Sequence, residues 1–205
     1  MSSNRPKPRS GAEPALERGR STRRRIVEHT ARLCSEQKGA ELSVAQIAAA
    51  AGVFPNQVTY YFGSKDSLLV HAAFLGLLHD AERIESVGFT ASDAAAFRQG
   101  VARTVLDLPS LPAVTRALAA GISRPELAPV VDRHLRLLFR QSEQYLRRLV
   151  RERGWSLERP PAVEAGTFWC AALGGVLLSR AGGTGMPADI DLAGTLTVRD
   201  TQAEP

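Results

Sequence analysis

Residues 42–69 read LSVAQIAAAAGVFPNQVTYYFGSKDSLL, and three aromatic side chains, Tyr60, Tyr61 and Phe62, stand adjacent in a chain that is only 6% aromatic. An ordinary core helix spreads such residues over its apolar face. Here they are fenced by breakers, with Gly52 and Pro55 ahead and Gly63 behind. Ser43 with Gln46 three positions on fits a capping box, in which each side chain satisfies a free backbone N–H of the first turn. A helix is therefore predicted from Val44 to about Ala50, stopping near Gly52. Pro55 suits the first turn of the next helix, where its missing N–H has no acceptor to lose, and Gly63 suits its left-handed stop. Ser64, with Asp66 in the first turn, opens a long helix to about Ser86 whose inner face carries Leu68, Leu69, Ala72, Leu75, Leu78 and Ile84.

Two short helices joined at a glycine have the spacing of a helix-turn-helix, with Ile47, Ala51, Val53 and Val58 inside and the small Ala48 where the helices pass closely. A plain two-helix corner in a core has the same spacing. Spacing alone leaves both open.

Working outward, a helical period in Ile26, Val27, Thr30, Leu33 and Cys34 predicts a preceding helix from about Ser21 to Gly39. Residues 1–19, rich in Pro and Gly among basic and polar residues, read as a disordered basic arm. Beyond Phe89, helices are expected at about 92–108, 112–121, 125–153 and 161–181, giving an all-α chain without internal repeats. The helix at 125–153 sets Val131, Leu135, Leu138, Leu146 and Leu149 against seven arginines between Arg133 and Arg153. The helix at 161–181 is apolar nearly all round and rich in Gly and Ala, so it needs neighbours on more than one side. Residues 183–205 form a tail with no clear period. The expected divisions are thus an arm (1–19), a three-helix unit (20–69), a larger helical unit (70–182) and the tail.

The formal net charge of +5 and pI near 9.8 favour a polyanionic partner, although 23 of the 26 basic residues are Arg, a usage that also follows genome composition. Two cysteines far apart, Cys34 and Cys170, argue against a disulfide framework and for a reducing, cytoplasmic setting. No apolar stretch follows the basic N-terminal residues, so a secretory signal is not expected. The stretch 162–178 falls short of a membrane span and contains Glu164.

The run at 42–69 resembles the DNA-binding signature of TetR-type transcriptional regulators: a Ser- or Thr-capped helix, an A-G-V turn, an aromatic pair followed by Phe and Gly, then Ser-Lys-Asp and Leu. With the helix before it, the likeness covers about Ser21 to Leu69. It implies an N-terminal helix-turn-helix unit and a larger C-terminal bundle for ligand sensing and dimerisation. In that reading one of Tyr60 and Tyr61 places its hydroxyl on a phosphate while the other packs inward, and Phe62 closes the three-helix core. Ser43, Thr59, Tyr60 and Lys65 are expected at the DNA backbone. The chain departs from the commonest pattern at 56–59, where Asn56 replaces a small residue and Gln57, Val58 and Thr59 replace Thr, Leu and Tyr. Asn and Gln can each bond an adenine edge with two hydrogen bonds, so Asn56 and Gln57 are the candidates for base readout. Arg23, Arg24 and Arg25, with Arg5, Lys7 and Arg9 of the arm, are further candidates for phosphate or minor-groove contacts.

The same resemblance implies a homodimer through residues 125–181 on a pseudo-palindromic operator, with a small-molecule effector releasing a repressor from double-stranded DNA. By residue type, Phe74, Phe97, Arg103, Tyr145 and Trp169 are candidates for the effector pocket. His71, His79 and His134 lack metal-ligand spacing, so no metal is expected, and no cofactor motif is present. A helical enzyme is disfavoured, since G-x-x-x-x-G-K, G-x-S-x-G and H-E-x-x-H are all missing. The remaining alternative is a helical protein–protein adaptor in which the two-helix corner is structural only.

Overall fold

In the computed structural model, the described residues are 12–36, 41–182 and 191–201. The arm residues Arg5, Lys7 and Arg9, and the stop expected at Gly39, lie outside them. Eight helices follow in order among the described residues: α1 (Ala12–Glu36), α2 (Val44–Ala51), α3 (Pro55–Phe62), α4 (Lys65–Thr90), α5 (Ala94–Leu106), α6 (Leu111–Ser123), α7 (Ala128–Arg153) and α8 (Pro161–Arg180). One 3-10 turn at Pro125–Leu127 leads into α7, a second lies at Ala193–Thr195, and two short strands, β1 (Trp155–Leu157) and β2 (Val198–Asp200), complete the described set.

Local chemistry sets the helix ends in the N-terminal third. Ser43 Oγ accepts from the Gln46 N–H at 3.2 Å while Gln46 Oε1 accepts from the Ser43 N–H at 2.8 Å, closing the expected capping box. Gly52, at φ 61°, donates back to α2 in a conformation that a Cβ disfavours. Phe54 has no side-chain acceptor to offer α3, so Gln57 reaches back instead, its Oε1 accepting from the Phe54 N–H at 3.0 Å. Gly63 at φ 75° ends α3, and Ser64 caps α4 by accepting from the Ser67 N–H.

Two apolar cores result. Ile26, Leu42, Ile47, Ala51, Val58, Phe62 and Leu68 close the first, beneath α1 to α3 and the start of α4. The second gathers α4 to α8 around Phe97, Val105, Leu111, Trp155, Phe168 and Trp169. Helix α4 is common to both, with Leu68 in the first and Val70, Phe74 and Leu77 in the second.

Three departures from the sequence reading have physical causes. Helix α1 starts at Ala12, nine residues before the expected Ser21, so residues 12–19 are helix and not arm; Pro14 falls in the first turn, where its missing N–H breaks no helical bond. The segment assigned to the tail packs into the second core, with Leu192, Leu196 and Val198 buried. Its β2 pairs antiparallel with β1, Trp155 opposite Asp200 and Leu157 opposite Val198, a small sheet that the all-helical expectation did not include. Glu164 anchors this segment: it is 0% exposed, pairs with Arg159 at 2.9 Å, and accepts the Thr197 N–H at 2.9 Å. Arg159 also donates to the Thr195 carbonyl. A charge inside an apolar helix is thus paired and hydrogen-bonded, the condition under which burial is tolerated. Helix α8 is by itself long and apolar enough to cross a membrane, yet Phe168, Trp169, Ala172 and Leu173 are buried within the protein.

Candidate nucleic-acid interface

Helix α3 has two faces. Val58 and Phe62, one turn apart, are buried, and on the opposite side Asn56, Thr59 and Tyr60 are exposed, Tyr60 to 82%. Tyr61 is half-buried against α1, where a Cβ on Gly19 would stand 3.8 Å from its hydroxyl. The adjacent aromatics therefore divide among solvent, the α1 contact and the core, which is why they occur together. Ser43 is exposed at the start of α2, and Lys65 lies at the start of α4 in an ion pair of 3.2 Å with Glu41. The candidate DNA residues thus gather around one helix and two helix N-termini, where free N–H groups and the helix dipole favour phosphate.

The structure changes the role open to Gln57. Its Oε1 is engaged by the Phe54 N–H, which leaves only the amide donors for a partner. Two-point adenine recognition by Gln57 requires giving up that cap; Asn56, exposed, carries no such engagement. Sequence reasoning missed Phe54, which is 76% exposed at the entrance to α3. The absence of a capping side chain at that position was the available signal.

Arg23 and Arg24, both exposed, have partners within the protein. Arg23 Nη2 donates to His71 Nε2 at 3.1 Å and its guanidinium lies 5.0 Å from the Phe62 ring centroid, while Arg24 pairs with Glu28 at 2.7 Å. Both border a cavity of about 660 Å³ bounded by α1, α4, α5, α7 and α8, a size that small-molecule sites occupy. Phe74, Phe97, Tyr145 and Trp169, the candidates by residue type, line it. Arg103 does not: it is exposed on α5, whose inner face carries Phe97, Val101 and Val105.

His71 and His134 were missed as cavity residues because 63 positions separate them. His71 Nδ1 and His134 Nε2 are 2.8 Å apart, and the His134 ring stacks on Phe74 with centroids 4.9 Å apart. Arg has only donors, so His71 Nε2 accepts, His71 Nδ1–H donates onward, and His134 Nε2 accepts in turn. This relay requires both imidazoles to be neutral. Burial lowers the His71 pKa to about 4, helped by His134, Arg23 and Arg133. Burial also lowers that of His134, with Arg133 and Arg23 adding to it. Tyr145 is pushed up to about 12 by burial, with Glu85 adding to it. Cys34, half-buried, has its thiol pushed up by burial, the opposite of a reactive thiolate. No group of three or more His, Cys, Asp or Glu with metal-binding geometry occurs among the described residues.

Comparison with known proteins follows the same division of the chain. Residues 26–72 match the family profile "Bacterial regulatory proteins, tetR family". Residues 94–197, half of the chain, match the profile "Bacterial transcriptional repressor C-terminal". None of the curated protein sequences matches significantly. Among solved structures, a protein assigned as a transcriptional regulator in Rhodococcus sp. RHA1 is similar at 28% identity and TM-score 0.64, covering 84% of this chain and 91% of its own. Another, assigned as a TetR-family regulator in Rhodococcus sp., shares the fold at 18% identity and TM-score 0.60, covering 85% and 96%. The reduced form of E. coli NemR shares it at 14% identity and TM-score 0.55, covering 85% and 95%. The helical adaptor alternative draws no support from any of these. With an exposed helical face on a capped three-helix core, a cavity in the bundle behind it, and both parts matched in sequence, the chain belongs to the TetR family of non-enzymatic, DNA-binding transcriptional regulators.

Proposed function

We propose that this regulator is a cytoplasmic homodimeric repressor that holds a pseudo-palindromic operator and leaves it when a small molecule enters the 660 Å³ cavity. The continuity of α4 carries this reading. One helix runs from Ser64, directly behind α3, through the first core at Leu68 to the cavity wall at His71 and Phe74. Arg124, just after α6, pairs with Asp66 in its first turn. A ligand that displaces the cavity segment of α4 thereby moves the start of α4 and the helix that reads DNA. Release requires tighter binding to the DNA-incompetent arrangement, since equal affinity shifts nothing.

Ser43, Tyr60 and Lys65 fit phosphate contacts, with Thr59 beside them, and Asn56, Phe54 and the free amide of Gln57 fit base edges, Phe54 through thymine methyl groups. Residues 125–181 supply the dimer interface in this reading. Leu137, Val163, Leu177 and Leu178 are exposed on α7 and α8, and the Gly and Ala positions of α8 permit close helix approach. Sedimentation velocity of wild type and of the Leu177→Arg/Leu178→Arg variant tests this. A dimer for the wild type and a folded monomer with lost operator affinity for the variant are expected; an unaltered dimer places the interface elsewhere.

A further inference from the structure

The cavity has two chemically distinct ends. Leu77, Phe97, Leu146, Phe168 and Trp169 make one apolar, and its polar atoms are satisfied within the protein: Trp169 Nε1 donates to Ser142 Oγ at 2.7 Å and the Tyr145 hydroxyl to the Ile84 carbonyl at 3.4 Å. The other end holds Arg20 and Arg23 of α1 with His71 and His134. The acids at the wall are already matched, Glu28 by Arg24 at 2.7 Å and Glu85 by Arg148 at 3.4 Å. Arg20 and Arg23 have no carboxylate partner among the described residues. Arg23 is exposed at the cavity rim, and a neutral imidazole is its one protein hydrogen-bond partner among the described residues, so most of its five donors face solvent and are open to an anionic group.

We infer that the effector is an amphiphile with one anionic, carboxylate-like head held by Arg23 beside His71 and His134, and an uncharged apolar body lying toward Phe168 and Trp169. This rests on the cavity being the effector site. The assignment also supplies the linkage to DNA. Arg23 spans the two cores, since its guanidinium packs over Phe62, the last residue of α3, while it donates to His71 on α4. A carboxylate that takes over the Arg23 donors competes with His71 and draws the guanidinium from Phe62. The recognition helix loses its support at the point where it meets the bundle.

Three probes with the same body and different heads test this below their micellar concentrations: dodecanoate, dodecanol and dodecylammonium. Each is titrated calorimetrically into wild type, Arg23→Gln and Arg23→Lys, with thermal melts to establish that each variant is folded. Dodecanoate is expected to bind wild type and Arg23→Lys about tenfold or more tightly than dodecanol, with dodecylammonium weakest. Arg23→Gln is expected to lose that preference while binding dodecanol unchanged, and dodecanoate is expected to weaken binding to an operator selected from sheared genomic DNA for wild type but not for Arg23→Gln. Equal affinity for all three heads would overturn the anionic-head assignment and leave the effector cavity standing. Failure of every probe to bind or to affect DNA binding would overturn both.

Discussion

Gln57 holds the fold with one end of its side chain and is proposed to meet DNA with the other. Its carbonyl holds the start of α3 through the Phe54 N–H, and only its amide donors remain to meet DNA. Glu at this position keeps an acceptor for that N–H and replaces the donors by a negative charge. Gln57→Glu is therefore expected to retain the melting temperature while losing operator affinity by roughly tenfold or more, read by fluorescence anisotropy beside a thermal melt. Lys65→Ala is expected to weaken binding to all sequences alike and to lower the salt slope by about 1. His71 and His134 act on stability. Their folded pKa values lie below the ordinary histidine value, for His71 at about 4, so the unfolded chain takes up protons first as the solution is acidified. Stability is expected to be full above about pH 6.5 and to fall as pH drops from there toward 4, with a smaller fall in His71→Gln, as urea titrations at successive pH values will show. At this scale the caps were legible, because Ser43, Gly63 and Ser64 act on residues within one turn, and the aromatic run was legible from the breakers that flank it. The roles of Arg23 and the histidines were not, because their partners lie 48 and 63 positions away.

Helix α4 meets α7 at a point that admits no additional atom. Gly88 is buried, and a Cβ there would collide with the Tyr145 hydroxyl and stand 2.9 Å from a Leu149 methyl. Gly88→Ala is expected to destabilise by roughly 1–3 kcal/mol, its gain in helix propensity outweighed by overpacking, as denaturant unfolding will report. Helix α8 is secured differently, through Glu164, which ties it to Arg159 and to Thr197 beside β2. Glu164→Ala leaves the Thr197 N–H without its acceptor and Arg159 with only the Thr195 carbonyl in place of a carboxylate, and is expected to loosen the C-terminal segment, seen as faster hydrogen exchange at 192–200 than elsewhere. Element existence was readable from caps and apolar period for every helix. The β1–β2 pair was not, since three-residue strands carry too little alternation and their register is fixed by Trp155 and Val198 entering a core assembled from other helices.

Across the whole molecule, two cores share one helix, and the cavity lies where that helix, α1 and α7 converge. Division into a reading unit and a larger bundle was visible in the sequence, whereas side-chain type alone does not place a residue at the cavity: Phe74, Phe97, Tyr145 and Trp169 line it and Arg103 does not. The basic end of the cavity was not visible in the sequence, because the Arg23–Arg24–Arg25 run reads as a phosphate-binding patch until the packing of α1 on α4 sets Arg23 at the cavity rim against His71 and Phe62. The central claim is that the exposed face of α3, carried twice in a dimer, selects a particular DNA sequence. It is tested most directly by mixing the protein with sheared genomic DNA from its source at about physiological salt and sequencing the bound fraction, where specific and non-specific binding differ by about 10³-fold or more. Enrichment of one or a few inverted repeats, with half-sites about one helical turn or a multiple apart, is the expected result. Diffuse binding that disappears with added salt and shows no common sequence would contradict it.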